Sequence, residues 1–324
     1  MKLTEIAANV LETVGNTPLV RLNRLTEGIA AEVLVKLEYF SPGASVKDRT
    51  ALGIIHGAER DGILKPGMTV VSQTSGNMGT GLAIACAVLG YHMVAVMPAT
   101  MSEERRQMLL ALGAEVALVP QLPGTPRGVV TNADYLRAKA TAKQIAEERN
   151  GFWVDQFTNE NNPRVHEEMT GPEILRQTGG RLDAYVIAVG SAGTAMGVAA
   201  ALKKHDPKIK VVVLEPATSA PISGGPISGH KIQGIATGQV PHFYRPELTD
   251  EVLTVTNEEA IETARRLAKE EGIFAGFSSG ANVAGALKVA RKMRAGQRVV
   301  TIINDTGLKY LSTELYQTGG EAPR

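Results

Sequence analysis

Lys47 is the residue whose type and position most directly suggest covalent chemistry. It lies in the segment 41–49 (Ser-Pro-Gly-Ala-Ser-Val-Lys-Asp-Arg), at the start of a helix predicted over residues 46–60. Ser45, followed three positions later by Asp48, resembles a capping box that would begin this helix. A cation in a first helical turn opposes the helix dipole. This position therefore favours the neutral amine that Schiff-base formation requires, although an isolated surface lysine is the competing interpretation.

A second polar turn follows a strand predicted over residues 69–72 and opens a helix predicted over residues 77–89. It reads Gln-Thr-Ser-Gly-Asn-Met-Gly-Thr-Gly from residue 73 to residue 81. Backbone N–H groups and hydroxyls at a helix N-terminus form an anion site suited to a carboxylate or a phosphate. Capping by a threonine or serine would need no ligand, so both interpretations stay open. The candidate binding residues are Thr74, Ser75, Gly76 and Asn77.

A third turn, after a strand predicted over residues 184–189, has the composition of a phosphate-binding loop. Its N–H groups and the hydroxyls of Ser191 and Thr194 suit a phosphate monoester, and a plain strand-to-helix turn is the alternative. The loop consists of Gly190, Ser191, Ala192, Gly193 and Thr194.

Other catalytic motifs are incomplete. Residues 276–280 (Gly-Phe-Ser-Ser-Gly) match the G-x-S-x-G string of hydrolases, but no histidine follows His242, as the hydrolase order requires. The six histidines show no metal-ligand spacing, so we expect no metal. No Walker sequence occurs, and the glycines of residues 76–81 are in the wrong order for a dinucleotide fingerprint.

Short β-branched runs alternate with helical patterns along most of the chain, which favours an α/β fold with parallel sheets. Most of the predicted strands are largely apolar, as in strands that are buried on both faces. The predicted strands cover residues 33–37, 69–72, 93–97, 115–119, 184–189, 210–214, 252–255 and 299–303. The predicted helices cover residues 46–60, 77–89, 102–112, 132–149, 194–204, 257–271 and 282–293.

Length and composition indicate a globular protein of about two domains. The chain has 324 residues, of which 44% are hydrophobic and 21% charged, and its formal net charge is +1. This balance argues against nucleic-acid binding by phosphate neutralisation. No apolar run approaches the length of a membrane span. A single cysteine, Cys86, excludes an intramolecular disulfide and fits a reducing compartment, so we expect a cytoplasmic protein.

Nine short segments in register define one known pattern along nearly the whole chain. They are 15–20 (Gly-Asn-Thr-Pro-Leu-Val), 42–49, 74–79, 156–157 (Gln-Phe), 170–173 (Thr-Gly-Pro-Glu), 190–194, 233–238 (Gln-Gly-Ile-Ala-Thr-Gly), 276–282 (Gly-Phe-Ser-Ser-Gly-Ala-Asn) and 310–313 (Tyr-Leu-Ser-Thr). With these segments the chain resembles the pyridoxal-phosphate (PLP) enzymes of fold type II, in the group of cysteine synthase (O-acetylserine sulfhydrylase) and cystathionine β-synthase.

The resemblance implies an α/β fold like that of the tryptophan synthase β subunit, with two three-layer αβα domains and mainly parallel sheets. A smaller, mobile domain over residues 36–162 would carry Lys47 and the loop from Thr74 to Asn77. A larger domain, residues 1–35 plus 163–324, would carry the phosphate loop and Ser278. The family also implies a homodimer that acts on a small-molecule amino acid, without a nucleic-acid or membrane partner.

The resemblance also implies roles for individual residues. Lys47 would form the Schiff base with PLP and act as the acid and base on the substrate Cα. Asn77 would hydrogen-bond the cofactor 3′-oxygen, Ser278 its pyridine nitrogen, and Gly234 would lie in a loop facing the substrate amine. The turn of residues 190–194 would hold the cofactor phosphate. The implied substrate-binding residues are Thr74, Ser75, Gly76, Asn77, Gln156 and Gly234.

The implied reaction is β-replacement. A neutral serine at the pyridine nitrogen does not keep the ring protonated, which makes the ring a weaker electron sink and favours loss of a β-leaving group. An O-acetylserine-type donor would give an α-aminoacrylate, to which sulfide adds to form L-cysteine. The alternatives are another donor or nucleophile (O-phosphoserine, homocysteine or an amine) and a serine/threonine ammonia-lyase. Retention of Lys47, Asn77 and Ser278 argues against a non-catalytic binding protein.

The chain departs from the family pattern at a few positions. Ser72-Gln73 stands where Glu-Pro is usual, and Asn304 with its neighbours replaces a Pro-Asp-Ser-Gly segment. Ala192 replaces a glycine of the phosphate loop, so we expect a negative φ at this position. His166 resembles a residue at a solvated helix start, and Trp153 is expected to pack near a domain boundary.

Overall fold

The computed structural model describes residues 6–74, 76–99, 103–121 and 132–317. Within these ranges the strands are β1 (Leu19–Arg21), β2 (Glu32–Leu37), β3 (Thr69–Gln73), β4 (His92–Pro98), β5 (Glu115–Val119), β6 (Phe152–Trp153), β7 (Ala184–Ala188), β8 (Lys210–Pro216), β9 (Glu251–Val255) and β10 (Arg298–Ile303). The α-helices are α1 (Lys47–Arg60), α2 (Asn77–Leu89), α3 (Glu103–Ala111), α4 (Asn132–Glu148), α5 (Asn161–Val165), α6 (Gly171–Thr178), α7 (Gly193–His205), α8 (Asn257–Glu271) and α9 (Phe277–Ala290).

The chain divides into two compact units. The first comprises the described residues up to Val14 and those from Ser41 to Asn162, and the second comprises Gly15–Phe40 and the residues from Pro163 onward. Relative to the predicted division, the N-terminal residues up to Val14 group with the first unit, and residues 36–40 group with the second. Residues 36 and 37 end β2, a strand of the second unit's sheet, which explains the later boundary.

The first unit is a three-layer structure around a four-stranded sheet. Its strand order is β5-β4-β3-β6, and all the pairings are parallel. Alternate residues of the strands face opposite sides. Met93 and Ala95 pack with apolar residues of α1 and α2, whereas Val94 and Val96 pack with α4. The carboxyl ends of β3 and β6 therefore lie side by side at one edge of this sheet.

The second unit is built in the same way around a six-stranded sheet. Its order is β1-β2-β10-β7-β8-β9, in which β1 alone is antiparallel to its neighbour. Val186 and Val212 face a core formed with α8 and α9, while Ile187 and Val213 face a core formed with α6 and α7. The predicted α/β architecture with mainly parallel sheets is confirmed.

The main error in the predicted elements concerns α9. It begins at Phe277, not at residue 282, so Ser278 lies in its first turn. Two glycines in residues 276–280 disfavour a helix by intrinsic propensity. Gly280 is instead required by packing, since a Cβ there would collide with the Ala260 carbonyl oxygen of α8.

Smaller elements were also not predicted. They are the short strands β1 and β6 and the helical stretch over α5 and α6, with a π-helical turn between the last two. Runs of two or three residues are too short for a periodic pattern. No helix in the described part of the chain is long and apolar enough to cross a membrane.

Candidate active site

The turn before α1 fixes Lys47 at the first position of that helix. The Asp48 carboxylate accepts a hydrogen bond from the Gly43 N–H at 2.6 Å, and the Ser45 hydroxyl accepts one from the Lys47 N–H at 3.3 Å. The predicted capping box is therefore wrong: Val46 occupies the N-cap position, and Asp48 closes the preceding turn instead. This turn needs Gly43, because a Cβ there would meet the Asp48 carboxylate.

Close packing between α1 and α2 places the two helix starts side by side. A Cβ on Gly81 would lie 3.0 Å from the Ala51 Cβ and 3.1 Å from the Lys47 carbonyl oxygen. The absence of a side chain at Gly81 thus lets α2 approach the first turn of α1. As a result, Lys47 and the polar turn before Asn77 lie at the same end of this helix pair.

Burial changes the protonation of Lys47. The amine lies among protein atoms that replace part of its hydration shell, and this desolvation lowers its pKa to about 8. Above that pH the neutral, nucleophilic form prevails, whereas an ordinary lysine remains charged until about pH 10.4. The predicted bias of Lys47 toward the neutral amine is therefore present, with burial as its cause.

The lowered pKa of Lys47 gives a pH-dependent prediction for the Schiff base with PLP that the family resemblance implies at this amine. Because only the neutral amine can attack the aldehyde, the rate of covalent uptake should rise with pH and level off above about pH 8 to 9. Stopped-flow absorption of apoenzyme mixed with PLP measures this rate. A rate that keeps rising about tenfold per pH unit up to about pH 10 would show that the amine is not desolvated.

The described residues on either side of Ser75 lead from β3 into α2. The Thr74 N–H donates to the Val96 carbonyl at 2.9 Å, and Gly76 is the N-cap residue. No side-chain cap is seen for α2 among the described residues, and the choice between capping and anion binding stays open. Ser75 lies outside the described residues. The Thr74 side chain packs over Gly79, where a Cβ would lie 2.9 Å from its methyl group.

Gln156 is placed by hydrogen bonds on both sides of it. Asp155 accepts from the Phe157 N–H at 3.0 Å, and Asn162 donates through its side-chain amide to the Gln156 carbonyl at 2.6 Å. Trp153, three residues earlier, donates from its indole nitrogen to the Gln73 side-chain oxygen at 3.1 Å. This last bond joins the ends of β3 and β6, so the segments that begin at Thr74 and Gln156 leave the same sheet edge.

The phosphate-type loop of the second unit has a strained backbone. Ala192 has φ +68° and ψ −4°, the left-handed conformation, so the expectation of a negative φ was wrong. Gly193 follows as the first residue of α7, and its N–H donates to the Ser191 hydroxyl at 3.4 Å. A left-handed residue directly before a helix turns successive N–H groups toward one point, which makes a concave anion site.

Replacement of Ala192 by glycine should stabilise the protein. A non-glycine residue in the left-handed region costs about 1–2 kcal/mol, and the extra flexibility that glycine adds to the unfolded chain offsets part of this gain. We expect Ala192→Gly to raise the free energy of unfolding by about 1 kcal/mol, measured by urea denaturation. Ala195→Gly, three residues later within α7, is the matched control and should lower it by a similar amount. Destabilisation by both variants would contradict the strain at Ala192.

The second unit brings Gly190, Gly234 and Ser278 together. A Cβ on Gly190 would lie 2.9 Å from the Gly234 carbonyl oxygen, so the two backbones can approach only because Gly190 has no side chain. Gly234 has φ +92°, and a Cβ there would lie 3.8 Å from the Ser278 hydroxyl oxygen. The phosphate-type loop, the loop of residues 233–236 and the start of α9 therefore border one region of this unit.

Asn282 fixes the start of α9 and had no predicted role. Its side-chain oxygen accepts from the Ala188 N–H at 2.7 Å, and its amide nitrogen donates to the Ile302 carbonyl at 2.7 Å. These bonds connect α9 to the ends of β7 and β10. The sequence contained a signal in the form of a polar residue inside an apolar helix pattern, but the two partners are 94 and 20 residues away.

His166 is the second residue that sequence reasoning missed. It is fully buried, so its interpretation as part of a solvated helix start was wrong. Its Nδ1 lies 2.9 Å from the Thr170 hydroxyl oxygen, and its Nε2 lies 3.1 Å from the Thr194 hydroxyl oxygen. The imidazole thus orients the last hydroxyl of the phosphate-type loop. The four-residue spacing to Thr170 is visible in the sequence, whereas the contact with Thr194 depends on tertiary packing.

These features fit PLP. Three chemical parts of the cofactor have a suitable group in one unit or the other: Lys47 of the first unit supplies a desolvated amine for the aldehyde, and the N-terminus of α7 in the second supplies N–H groups for the phosphate. Ser278 supplies a buried hydroxyl for the ring nitrogen. The glycine contacts at Gly190 show a loop shaped by close backbone approach.

Comparison with known proteins identifies the family. The model of the family described as "Pyridoxal-phosphate dependent enzyme" matches residues 10–305, and the chain belongs to this family. The predicted family and cofactor, PLP, are thereby confirmed.

Individual relatives are similar over nearly their whole length. A cysteine synthase of Staphylococcus aureus is 46% identical over 309 residues, which cover 95% of this chain and 96% of that protein. The crystal structure of O-acetyl serine sulfhydrylase isoform 3 from Entamoeba histolytica is 41% identical, with a TM-score of 0.90 over 100% of this chain and 95% of that one. An O-ureido-L-serine synthase structure is also 41% identical, with a TM-score of 0.90 and 98% of each chain covered.

Proposed function

We propose that this enzyme makes L-cysteine by replacing the β-substituent of an activated L-serine, such as O-acetyl-L-serine, with sulfide. The observation that carries the proposal is the desolvated amine of Lys47 at the start of α1, with its pKa lowered to about 8, in a chain of this family. The 46% identity to a cysteine synthase over 95% of the chain supports the same reaction.

Each part of the cofactor is assigned to particular residues of this chain. We assign the covalent bond to Lys47, the contact with the 3′-oxygen to Asn77, and the contact with the ring nitrogen to Ser278. The phosphate is assigned to the loop that consists of Gly190, Ser191, Ala192, Gly193 and Thr194. When bound, PLP supplies an electron sink for the bond broken at the substrate Cα.

The substrate carboxylate is assigned to the turn of residues 74–77 together with Gln156. The dipole and N–H groups at the start of α2 favour an anion there. Gly234 is assigned to the loop beside the substrate amine. A carboxylate held at the start of α2 would lie near the first turn of α1, because Gly81 brings these two helix starts together.

Lys47 then moves protons at the substrate Cα. Its neutral amine takes the Cα proton, the bond from Cβ to the leaving group breaks, and acetate departs. Sulfide forms the new bond to Cβ, and the Lys47 ammonium returns a proton to Cα. The net reaction converts O-acetyl-L-serine and hydrosulfide into L-cysteine and acetate. A pKa near neutrality lets one group serve in both directions.

The reaction is tested by product analysis of the purified holoenzyme. Incubation with O-acetyl-L-serine and sulfide should give cysteine and acetate in equal amounts, detected by chromatography. Formation of a 2-oxo acid and ammonia, with no thiol, would show an ammonia-lyase and contradict the proposal.

A different nucleophile or donor is the second candidate. It is favoured by the O-ureido-L-serine synthase structure, whose name specifies a product other than cysteine and whose TM-score is 0.90. If sulfide gives no turnover while homocysteine or an amine gives a β-substituted alanine, this second candidate replaces the first. O-Phospho-L-serine is the alternative donor for the same assay.

We further propose that the enzyme works in the cytoplasm as a homodimer. The resemblance to fold type II enzymes supports the dimer. The single buried cysteine, Cys86, whose pKa burial raises to about 12, forms no intramolecular disulfide and is compatible with a reducing compartment. Sedimentation equilibrium of the holoenzyme should give twice the mass of one chain.

A further inference from the structure

One polar side chain reaches Ser278 from a neighbouring strand end. Asn304 is the first residue after β10, and its amide nitrogen Nδ2 lies 3.0 Å from the Ser278 hydroxyl oxygen. Its backbone N–H also donates to the Ser279 hydroxyl at 2.9 Å. Asn304 therefore contacts two consecutive hydroxyls in the first turn of α9.

The position of Asn304 is set by the pairing of β10 within the sheet and by a hydrogen bond from α9. β10 pairs in parallel with β2 on one side and β7 on the other. Asn282 of α9 donates to the carbonyl of Ile302, two residues before Asn304. The strand end and the helix start are thus joined at two points, and the contact between Asn304 and Ser278 does not depend on a mobile loop.

The direction of the hydrogen bond between Asn304 and Ser278 determines what else the Ser278 hydroxyl can bind. A serine hydroxyl has one hydrogen to donate and lone pairs to accept. When the Asn304 amide donates to Ser278, the hydroxyl hydrogen stays available for another acceptor. The deprotonated pyridine nitrogen of PLP is such an acceptor and has no hydrogen of its own. If the Ser278 hydroxyl donated its hydrogen to Asn304 instead, the pyridine nitrogen would have no hydrogen-bond donor at this position.

We propose that Asn304 is a positioning residue that holds the Ser278 hydroxyl as a donor toward the ring nitrogen of PLP. The proposal rests on the assignment of Ser278 in the proposed function. A bond received by a hydroxyl polarises it and strengthens the bond that it donates. Because the Asn304 amide is neutral, this chain of two hydrogen bonds supplies no proton to the ring nitrogen.

Two substitutions of Asn304 test whether its amide must donate to the Ser278 hydroxyl. Asn304→Asp places a carboxylate that accepts the Ser278 hydrogen and turns it away from the ring. Asn304→Ala removes the donor and leaves the hydroxyl free to rotate. We expect about a tenfold lower kcat for Asn304→Asp and a smaller loss for Asn304→Ala, with little change in the KM for O-acetyl-L-serine. The visible absorption and circular dichroism of the bound cofactor should change in both variants.

A double-mutant cycle separates positioning from a general structural effect. In a Ser278→Ala background, Asn304→Ala should cause no further change in the cofactor spectrum, because its partner is already removed. Asn23→Asp, at an exposed asparagine of the same unit, is the control for added charge and should leave spectrum and kcat unchanged. Thermal melting of each holoenzyme identifies a variant that fails to fold. If one Asn304 variant does not fold, the spectrum and kcat of the other test the positioning role.

The outcomes also distinguish this proposal from the proposed function. The spectrum of the holoenzyme is read without substrate, so it responds to Asn304 even if the reaction is not cysteine formation. Unchanged spectra and a kcat within about twofold of wild type for both Asn304 variants would overturn the positioning role. An equal spectral change with and without the Ser278 hydroxyl would overturn it as well.

Discussion

Lys47→Ala should reduce cysteine formation by at least about a thousandfold. The substitution removes the amine that is proposed to bind PLP and the group that moves the Cα proton, and general acid–base catalysis alone contributes about 10²- to 10⁴-fold. The variant should also lose its covalently bound cofactor, because no other residue is assigned to that bond. The measurement is the initial rate of cysteine formation with saturating PLP, together with the absorption of the desalted protein.

The control for Lys47→Ala is Lys65→Ala, at an exposed lysine of the same unit. It should retain the wild-type rate and the bound cofactor. Comparable unfolding curves for the two variants would show that the loss at Lys47 is chemical. Full activity of Lys47→Ala would show that another residue carries the covalent bond.

Ser278→Asp should lower kcat by about a hundredfold, the scale for loss of one preorganised donor at a reacting group. A carboxylate at this buried position, which also receives the Asn304 amide hydrogen, would hold a proton on the ring nitrogen. The proton deepens the electron sink and disfavours prompt loss of the β-leaving group. Steady-state kinetics with O-acetyl-L-serine and sulfide measure the effect.

An exposed serine of the same unit provides the comparison. Ser312→Asp adds the same charge at the surface and should leave kcat unchanged. Thermal unfolding separates a catalytic defect at Ser278 from loss of structure, since the added carboxylate is buried. Wild-type kinetics for Ser278→Asp would remove the role assigned to this hydroxyl.

Local patterns in the sequence were sufficient for the elements nearest to Lys47. The helix predicted over residues 77–89 agrees with α2, and the helix predicted over residues 46–60 begins one residue early. Both have clear glycine or serine boundaries and periodic or apolar interiors. The polar turns before α2 and α7 follow β3 and β7 as predicted, because each leaves the carboxyl end of a parallel strand in its own sheet.

Other parts of the site depend on contacts that no local pattern contains. The left-handed Ala192 is a residue type that rarely adopts this conformation, and the first turn of α9 is helical because Gly280 packs against α8. The contact of His166 with Thr194 spans 28 residues, and that of Asn304 with Ser278 spans 26. Buried polar groups of this kind are specified by tertiary structure, since each must find a hydrogen-bond partner in the fold.

The visible absorption spectrum of the purified holoenzyme, recorded before and after O-acetyl-L-serine and again after sulfide, tests the central claim most directly. We predict a visible band from bound PLP that shifts when O-acetyl-L-serine is added and returns when sulfide is added. This sequence of changes would establish the cofactor, the loss of the β-substituent and the nucleophile in one experiment. A yellow protein that O-acetyl-L-serine does not alter would contradict the proposed donor, and a colourless protein that PLP cannot reconstitute would contradict the entire catalytic account.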